Sequence, residues 1–293
     1  MPRVSIVTPA YNSAGVIANA IGSVLAQTYS DWELIVADDA STDDTAARVE
    51  AYGERVRLVR AERNGGPAAA RNLALHHAGG ELVAFLDADD RWLPHYLERQ
   101  VARYDGDRGR QPIGLLACDA RIEGSHMTYA QQFRRGVDPI TLERVLRRNM
   151  VYISAMVPRA AGEQAGWFSE DLFGTEDHDL WIKVLERGYR GVYTDEPLCV
   201  YNRTEGSISL NVARQAANNQ KTYRAALARG RLTGRQRRIA RSELRYNRAM
   251  EVVARALLDG DRRARPVLEA LPLLAWVAAT HPRHWGEWLA VLR

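Results

Sequence analysis

A chain of 293 residues is long enough to bury a full core, as one large α/β domain with an appendage or as two domains, and its ordinary composition excludes a fibrous or disordered protein. Its two cysteines, Cys118 and Cys199, match no metal-ligand spacing and exclude a disulfide framework, which suits a reducing, cytoplasmic setting. The net charge of +4 conceals a gradient, −5 over residues 1–100, −1 over 101–220 and +10 over 221–293, with nearly all the basic residues arginine.

The first hundred residues alternate strand and helix signals. Val4–Pro9 is a β-rich run, so the amino terminus reads as a strand; no long apolar stretch follows Arg3 to make a signal peptide. Ala14–Gln27 places Val16, Ile17, Ala20, Ile21, Val24 and Leu25 at helical spacing. Trp32–Asp38 is a second strand, after which Ser41 offers a helix cap ahead of Asp43 and Asp44. Val56–Arg60 is a third strand. Gly66–Ala78 is a helix with Pro67 near its start, and Glu81–Asp87 is a fourth strand. Apolar strands separated by helices imply a parallel sheet covered on both faces, whose ligands bind beyond the carboxyl ends of the strands.

That rule brings Thr8, Pro9, Ala10, Tyr11 and Asn12, then Asp38, Asp39 and Ser41, then Asp87, Asp89 and Asp90 to one edge. A helix-cap account suits each acidic pair alone but does not explain why two strands end in this way. Carboxylates clustered against a core are costly unless a cation sits among them.

"VSIVTPAYN", "VADDASTDDT", "NGGPAAARNLAL" and "FLDADD", in this order, resemble the nucleotide-sugar-binding half of the family 2 glycosyltransferases, closely from Val4 to Tyr104 and more loosely to Ser209. The resemblance implies a GT-A fold, a mostly parallel Rossmann-like sheet with helices on both faces. It also implies an inverting reaction and a catalytic domain over 1–209, divided into a donor half, 1–104, and an acceptor half, 105–209. It assigns Thr8, Pro9, Ala10, Tyr11, Asp39, Arg71, Asp87, Ala88 and Asp89 to the nucleotide diphospho-sugar. Tyr11 offers a face to the base. Asp39, an acceptor, suits the N3–H of uracil or thymine, so a UDP-sugar or a dTDP-sugar. Arg71 has the fork geometry for a base carbonyl or phosphate, against the plainer reading of an exposed helical arginine. Asp87-Ala88-Asp89 resembles the D-x-D motif. Asp89 is then the ligand of a divalent cation, Mn²⁺ or Mg²⁺, with Asp87 on ribose or a metal-bound water and Asp90 capping a helix that begins near Pro94.

Further along, Ile113–Ile122 is a strand and Glu123–Gly136 a variable loop placed over the acceptor. Asp138 is expected to cap a helix that has Pro139 at its first position, and "VYISAMVPR" is a buried segment with strand character. "FGTEDHDLWIKVLERGY" carries a helical apolar face, Thr175 at its cap and Gly188 at its end. In the family the "ED" here supplies the base for the acceptor hydroxyl, which implies Asp177, with His178 the second candidate. The segment Tyr201–Ser209 resembles a closing loop in which Thr204 stands where many members carry His; Arg203 or Ser207 are the alternatives for holding phosphate.

The tail, 210–293, is helical in pattern, with Trp276, Trp285 and Trp288 among apolar neighbours and Pro272 and Pro282 interrupting it. No apolar run is long enough to span a bilayer. Two readings stay open: a helical hairpin packed on the catalytic domain or on another subunit of a homo-oligomer, and an interfacial element at the inner face of the cell membrane. The expected acceptor is a hydroxyl on a carbohydrate, lipid-linked or other glycoconjugate, and no nucleic-acid partner is expected. A non-catalytic sugar-binding module, a sugar-phosphate nucleotidyltransferase and a glycoside hydrolase are the competing classes. A nucleotidyltransferase would want a basic residue in the loop after the first strand, where "PAYNSAG" has none.

Overall fold

The runs Val4–Ala10 (β1), Trp32–Asp38 (β2) and Leu82–Phe85 (β4) are buried at consecutive positions, and so on both faces, as strands between two covering layers must be. A computed structural model describes residues 1–107, 111–126, 128–129, 138–202 and 211–258, in two compact units, Met1–Thr204 and Glu205–Arg293. With β3 (Arg57–Arg60), β5 (Arg91–Trp92), β6 (Ile113–Ile122), β7 (Met156–Pro158) and β8 (Arg190–Tyr201), the first unit forms an eight-stranded sheet ordered β3-β2-β1-β4-β7-β6-β8-β5. Pairings among β3, β2, β1 and β4 are all parallel, as expected. Beyond β4 the sheet is mixed: β7 is antiparallel to β4 and β6, β8 is parallel to β6, and β5 is antiparallel to β8.

The helices of this unit are α1 (Ile17–Leu25), α2 (Thr45–Glu50), α3 (Gly66–His77), α4 (Tyr96–Asp105), α5 (Leu142–Arg147), α6 (Arg159–Ala165) and α7 (Glu176–Leu185). Ile17, Ala20, Ile21 and Val24 of α1 are buried, the apolar stripe read from the sequence. Pro9 fits inside β1 because β4 stops opposite Val7. The position where Pro9 lacks an N–H therefore faces no ladder partner.

Several capping assignments are corrected. Ser41 caps no helix; its hydroxyl accepts the Asn12 N–H (2.9 Å), and Asp43 accepts the Thr45 N–H at the start of α2 (3.0 Å). Asp90 does not cap α4, whose cap position is His95, and is itself buried just before β5. Asp138 is not a helix cap either: its carboxylate accepts the Tyr193 N–H (3.0 Å), and Thr141 caps α5. Thr175 occupies the cap position of α7 without a side-chain capping bond. In "VYISAMVPR" only Met156–Pro158 forms strand, although the whole run Val151–Val157 is buried. The sequence reading missed β5, α6 and β8. In β8 the polar run Thr194–Pro197 interrupts the alternation, and the register against β6 shifts there, at Cys118/Asp119 and Asp119/Ala120.

In the second unit, α8 (Val212–Ala228) and α9 (Gly234–Leu258) pack together across a turn at Gly230 (φ +71°). Asn219 donates to Asn247 (3.0 Å) and Gln220 to Glu251 (2.6 Å). No helix of the described residues is long and apolar enough to cross a membrane. Arg203, Thr204, Ser207, most of the loop 123–136, and Trp276, Trp285 and Trp288 lie outside the described residues.

Two glycines test this packing. A Cβ on Gly162 of α6 would meet the Trp167 ring at 2.0 Å, whereas one on Gly22 of α1 would meet nothing within 4 Å. Gly162→Ala should therefore lower stability by about 1–3 kcal/mol. Gly22→Ala should raise it by about 0.5–1 kcal/mol. Thermal unfolding of the two variants checks this; an unchanged midpoint for Gly162→Ala would contradict the Trp167 packing.

Candidate active site

The strand order sets β2 and β4 on either side of β1, so the segments leaving their carboxyl ends lie about 10 Å apart across it. The loops after β1 and β2 are tied to each other. Asn12 (φ +48°) and Ala40 (φ +58°) turn the chain, Asn12 Oδ1 accepts the Thr42 N–H (2.9 Å), and Asp43 accepts the Ala14 N–H (3.0 Å). This lock leaves Tyr11 half exposed at the rim (50 %), while Thr8 and Ala10 are buried within β1 and Pro9 is half-buried.

The two acids after β2 do different work. Asp38 is fully buried, accepting the Ser41 N–H (3.2 Å) and Arg60 Nε (3.2 Å), and so ties the loop to β3. Asp39 accepts the N–H groups of Gly65 (2.8 Å) and Gly66 (2.7 Å) at the start of α3, one on each oxygen. Each oxygen keeps a second lone pair, held in a fixed direction.

Arg71, in the second turn of α3, is buried rather than an exposed helical residue. Its fork points at two carboxylates rather than outward: Nη2 donates to Asp87 Oδ1 (2.6 Å) and Nη1 to Glu176 Oε1 (2.8 Å), with the Phe168 ring 5.3 Å away. Burial opposes its charge, and Asp87 and Glu176 together outweigh that, raising its pKa above the usual arginine value. Its Nε has no hydrogen-bond partner among the described residues.

Asp87, Asp89 and Asp90 offer carboxylate oxygens within 4.8 Å of one another. Asp90 is taken up by the protein: Tyr152 Oη donates to one oxygen and the Asn202 N–H to the other (2.9 Å). Burial, then the charges of Asp89 and Asp87, push its pKa well up. Asp89 is half-buried, and burial followed by the charge of Asp87 raises its pKa to about 6. Ala88 between them is buried.

At the start of α7, Asp177 Oδ2 accepts Asn149 Nδ2 (2.9 Å) and Oδ1 accepts the His178 N–H (2.6 Å). Burial raises its pKa above the aspartate range. His178 is not placed to act as a base, because its ring is buried with Nε2 2.8 Å from the Val145 carbonyl oxygen. The structure therefore brings Asp87, Arg71, Glu176 and Asp177 into one connected group, with Asp39 at the other end of α3. The sequence reading missed Glu176 as a partner of Arg71, Asn149 against Asp177 and Tyr152 under Asp90. It also missed Phe173, 41 % exposed, whose ring lies 3.4 Å from where a Cβ on Gly66 would be. The acidic turn of α7 signalled only Glu176; the others sit in segments that read as core or loop.

Residues 5–117 match the family model Glycosyl transferase family 2. The UDP-Glc:alpha-D-GlcNAc-diphosphoundecaprenol beta-1,3-glucosyltransferase WfgD of Escherichia coli is 46% identical over 223 residues, covering 71% of this chain and 80% of that protein. Mannosyltransferase PcManGT from Pyrobaculum calidifontis, in complex with GDP-Man and Mn²⁺, superposes with a TM-score of 0.69 at 25% identity over 99% of this chain and 85% of its own. S. aureus TarS 1-349 in complex with UDP-GlcNAc gives a TM-score of 0.73 at 21% identity over 92% and 79%, a likeness of fold. With the motifs in order on a GT-A sheet and a relative of this identity matched over four-fifths of its length, the chain belongs to glycosyltransferase family 2.

Proposed function

We propose that this glycosyltransferase transfers a sugar, with inversion and with a divalent cation, from a UDP-sugar to a hydroxyl of a lipid-linked saccharide in cell-surface polysaccharide or glycolipid synthesis. The observation that carries the reading is the Arg71 bridge, which ties the D-x-D segment to the acidic start of α7. Donor and acceptor chemistry are thereby held in one rigid group. The donor and acceptor classes follow the relative WfgD, whose name gives UDP-glucose and a diphosphoundecaprenol-linked sugar. Family membership disfavours the nucleotidyltransferase and hydrolase readings.

The acidic cluster fits Mn²⁺ or Mg²⁺. These ions take hard oxygen ligands, commonly one or two carboxylates completed by phosphate and water. Asp90 is already hydrogen-bonded, so Asp89 would hold the ion, with Asp87 beside it and fixed by Arg71. A cation there would stabilise the growing charge on the departing diphosphate. Tyr11 stacks on the base at the rim, and Asp39, oriented by Gly65 and Gly66, accepts the pyrimidine N–H. Thr8, Pro9, Ala10 and Ala88 supply the backbone wall of the same pocket. Arg71 serves the donor through Asp87 rather than by touching the base. Asp177 takes the acceptor's proton as the hydroxyl oxygen attacks the anomeric carbon, and Asn149 holds the carboxylate in place.

For Asp89→Asn we expect UDP binding to become insensitive to manganese, read by titration calorimetry with and without the ion. A variant that still binds UDP more tightly with Mn²⁺ would remove Asp89 from the metal site. If wild-type protein binds UDP-sugars but turns none over with any lipid-linked acceptor, the non-catalytic module is the better description.

Asp177→Asn should leave UDP affinity unchanged and slow transfer by about 10²–10⁴-fold. Asp177 works as a base only when ionised, and its burial raises its pKa. Transfer at saturating donor and metal should therefore be full above that raised pKa and fall as the pH drops through it. The acid limb should lie above the ordinary aspartate value of about 4. A limb at the ordinary value, or near-normal transfer by Asp177→Asn, would overturn the assignment.

A further inference from the structure

Helix α9 divides its residues by chemistry. Ile239, Tyr246, Met250 and Val253 are buried. Every exposed charged residue of its described side chains is an arginine, seven in all. Arg238, Arg241, Arg245, Arg248 and Arg255 fall within an arc of about 100° and run for about 26 Å along the axis. The two acids of the helix stay off this face: Glu243 is buried, and Glu251 lies at its margin, accepting from Gln220 and pairing with Arg255 (2.8 Å). Val252, 38 % exposed, is the apolar residue within the stripe. A straight row of guanidinium groups with no exposed acid among them is complementary to a plane of phosphates, each group able to donate two parallel bonds to one phosphate.

We infer that this arginine face docks on the anionic phospholipid headgroups of a membrane. The choice of a lipid surface over nucleic acid rests on the proposed lipid-linked acceptor. It is supported by the sequence that follows the helix, where residues 259–293 carry Trp276, Trp285 and Trp288 among leucine, valine and alanine, residues suited to a headgroup interface. The docking is electrostatic, so salt weakens it. Each arginine near an anionic surface is worth about fivefold in partitioning.

The test is sedimentation of the full chain with equimolar phosphatidylglycerol–phosphatidylcholine vesicles, against pure phosphatidylcholine vesicles. Wild-type protein should sediment with the anionic vesicles, and added salt should release it. Replacing Arg241, Arg245 and Arg248 by glutamine should weaken vesicle binding about a hundredfold, with helical circular dichroism and manganese-dependent UDP binding unchanged. Wild-type protein that ignores anionic vesicles, or a triple variant that binds them as wild type does, overturns the proposal. So does tighter binding to duplex nucleic acid than to the vesicles at the same salt. Vesicle binding without UDP binding would fault the proposed enzyme function and leave this surface standing; UDP binding without vesicle binding would do the reverse.

Discussion

The buried guanidinium of Arg71 is the interaction on which the site's geometry depends. It lies buried in α3, and its charge is tolerable only because Asp87 and Glu176 pair with its two terminal nitrogens. Removing one partner of such a pair leaves an uncompensated charge, a penalty of about 3–5 kcal/mol. The three groups come from α3, from the segment after β4 and from the start of α7, so the bridge fixes all three together. The start of α3 is held by Asp39 on the Gly65 and Gly66 N–H groups. One helix thus spans the edge as a strut. Its first turn is set by the end of β2, and its second turn sets the end of β4 and the acids of α7.

The strut makes sense of the local electrostatics. Asp89 is partly out of water and lies close to the Asp87 carboxylate, which Arg71 holds in place; both effects push its pKa up, to about 6. An ion-free cluster of this kind works against itself. A doubly charged ion held by Asp89 would reverse the sign of the local field and favour the ionised carboxylate. The same cluster that burdens the fold on its own is therefore the feature that suits a diphosphate and its cation.

Much of this was legible in the sequence, for identifiable reasons. β1, β2 and β6 were read to within a residue because each is a β-rich, largely apolar run bounded by turn or charged residues. The placement of Asp39, Asp87 and Asp89 at one edge was legible because the edge of a parallel sheet collects whatever follows its strands. The contacts of Arg71 were not legible, since Glu176 is 105 positions away and no local pattern encodes that pairing. Ser41 and Asp138 were misread for the opposite reason. Both stand where a cap would be favourable, and in each case a tertiary partner, Asn12 or Tyr193, takes the side chain instead. β8 escaped because a register shift sits at its centre.

The paired acids follow one physical rule. In Asp89-Asp90 and Glu176-Asp177 one member is buried and satisfied by protein donors, Tyr152 and Asn202 for Asp90, Arg71 for Glu176. The neighbour is left half-buried at the rim. Adjacent residues point in different directions, so the buried acid anchors its segment and thereby aims the acid beside it. Asp38-Asp39 shares the division of labour but not the exposure: both are buried, Asp38 binding its own loop to β3 and Asp39 fixing the first turn of α3. Two acids in succession let one hold the segment while its neighbour faces another way.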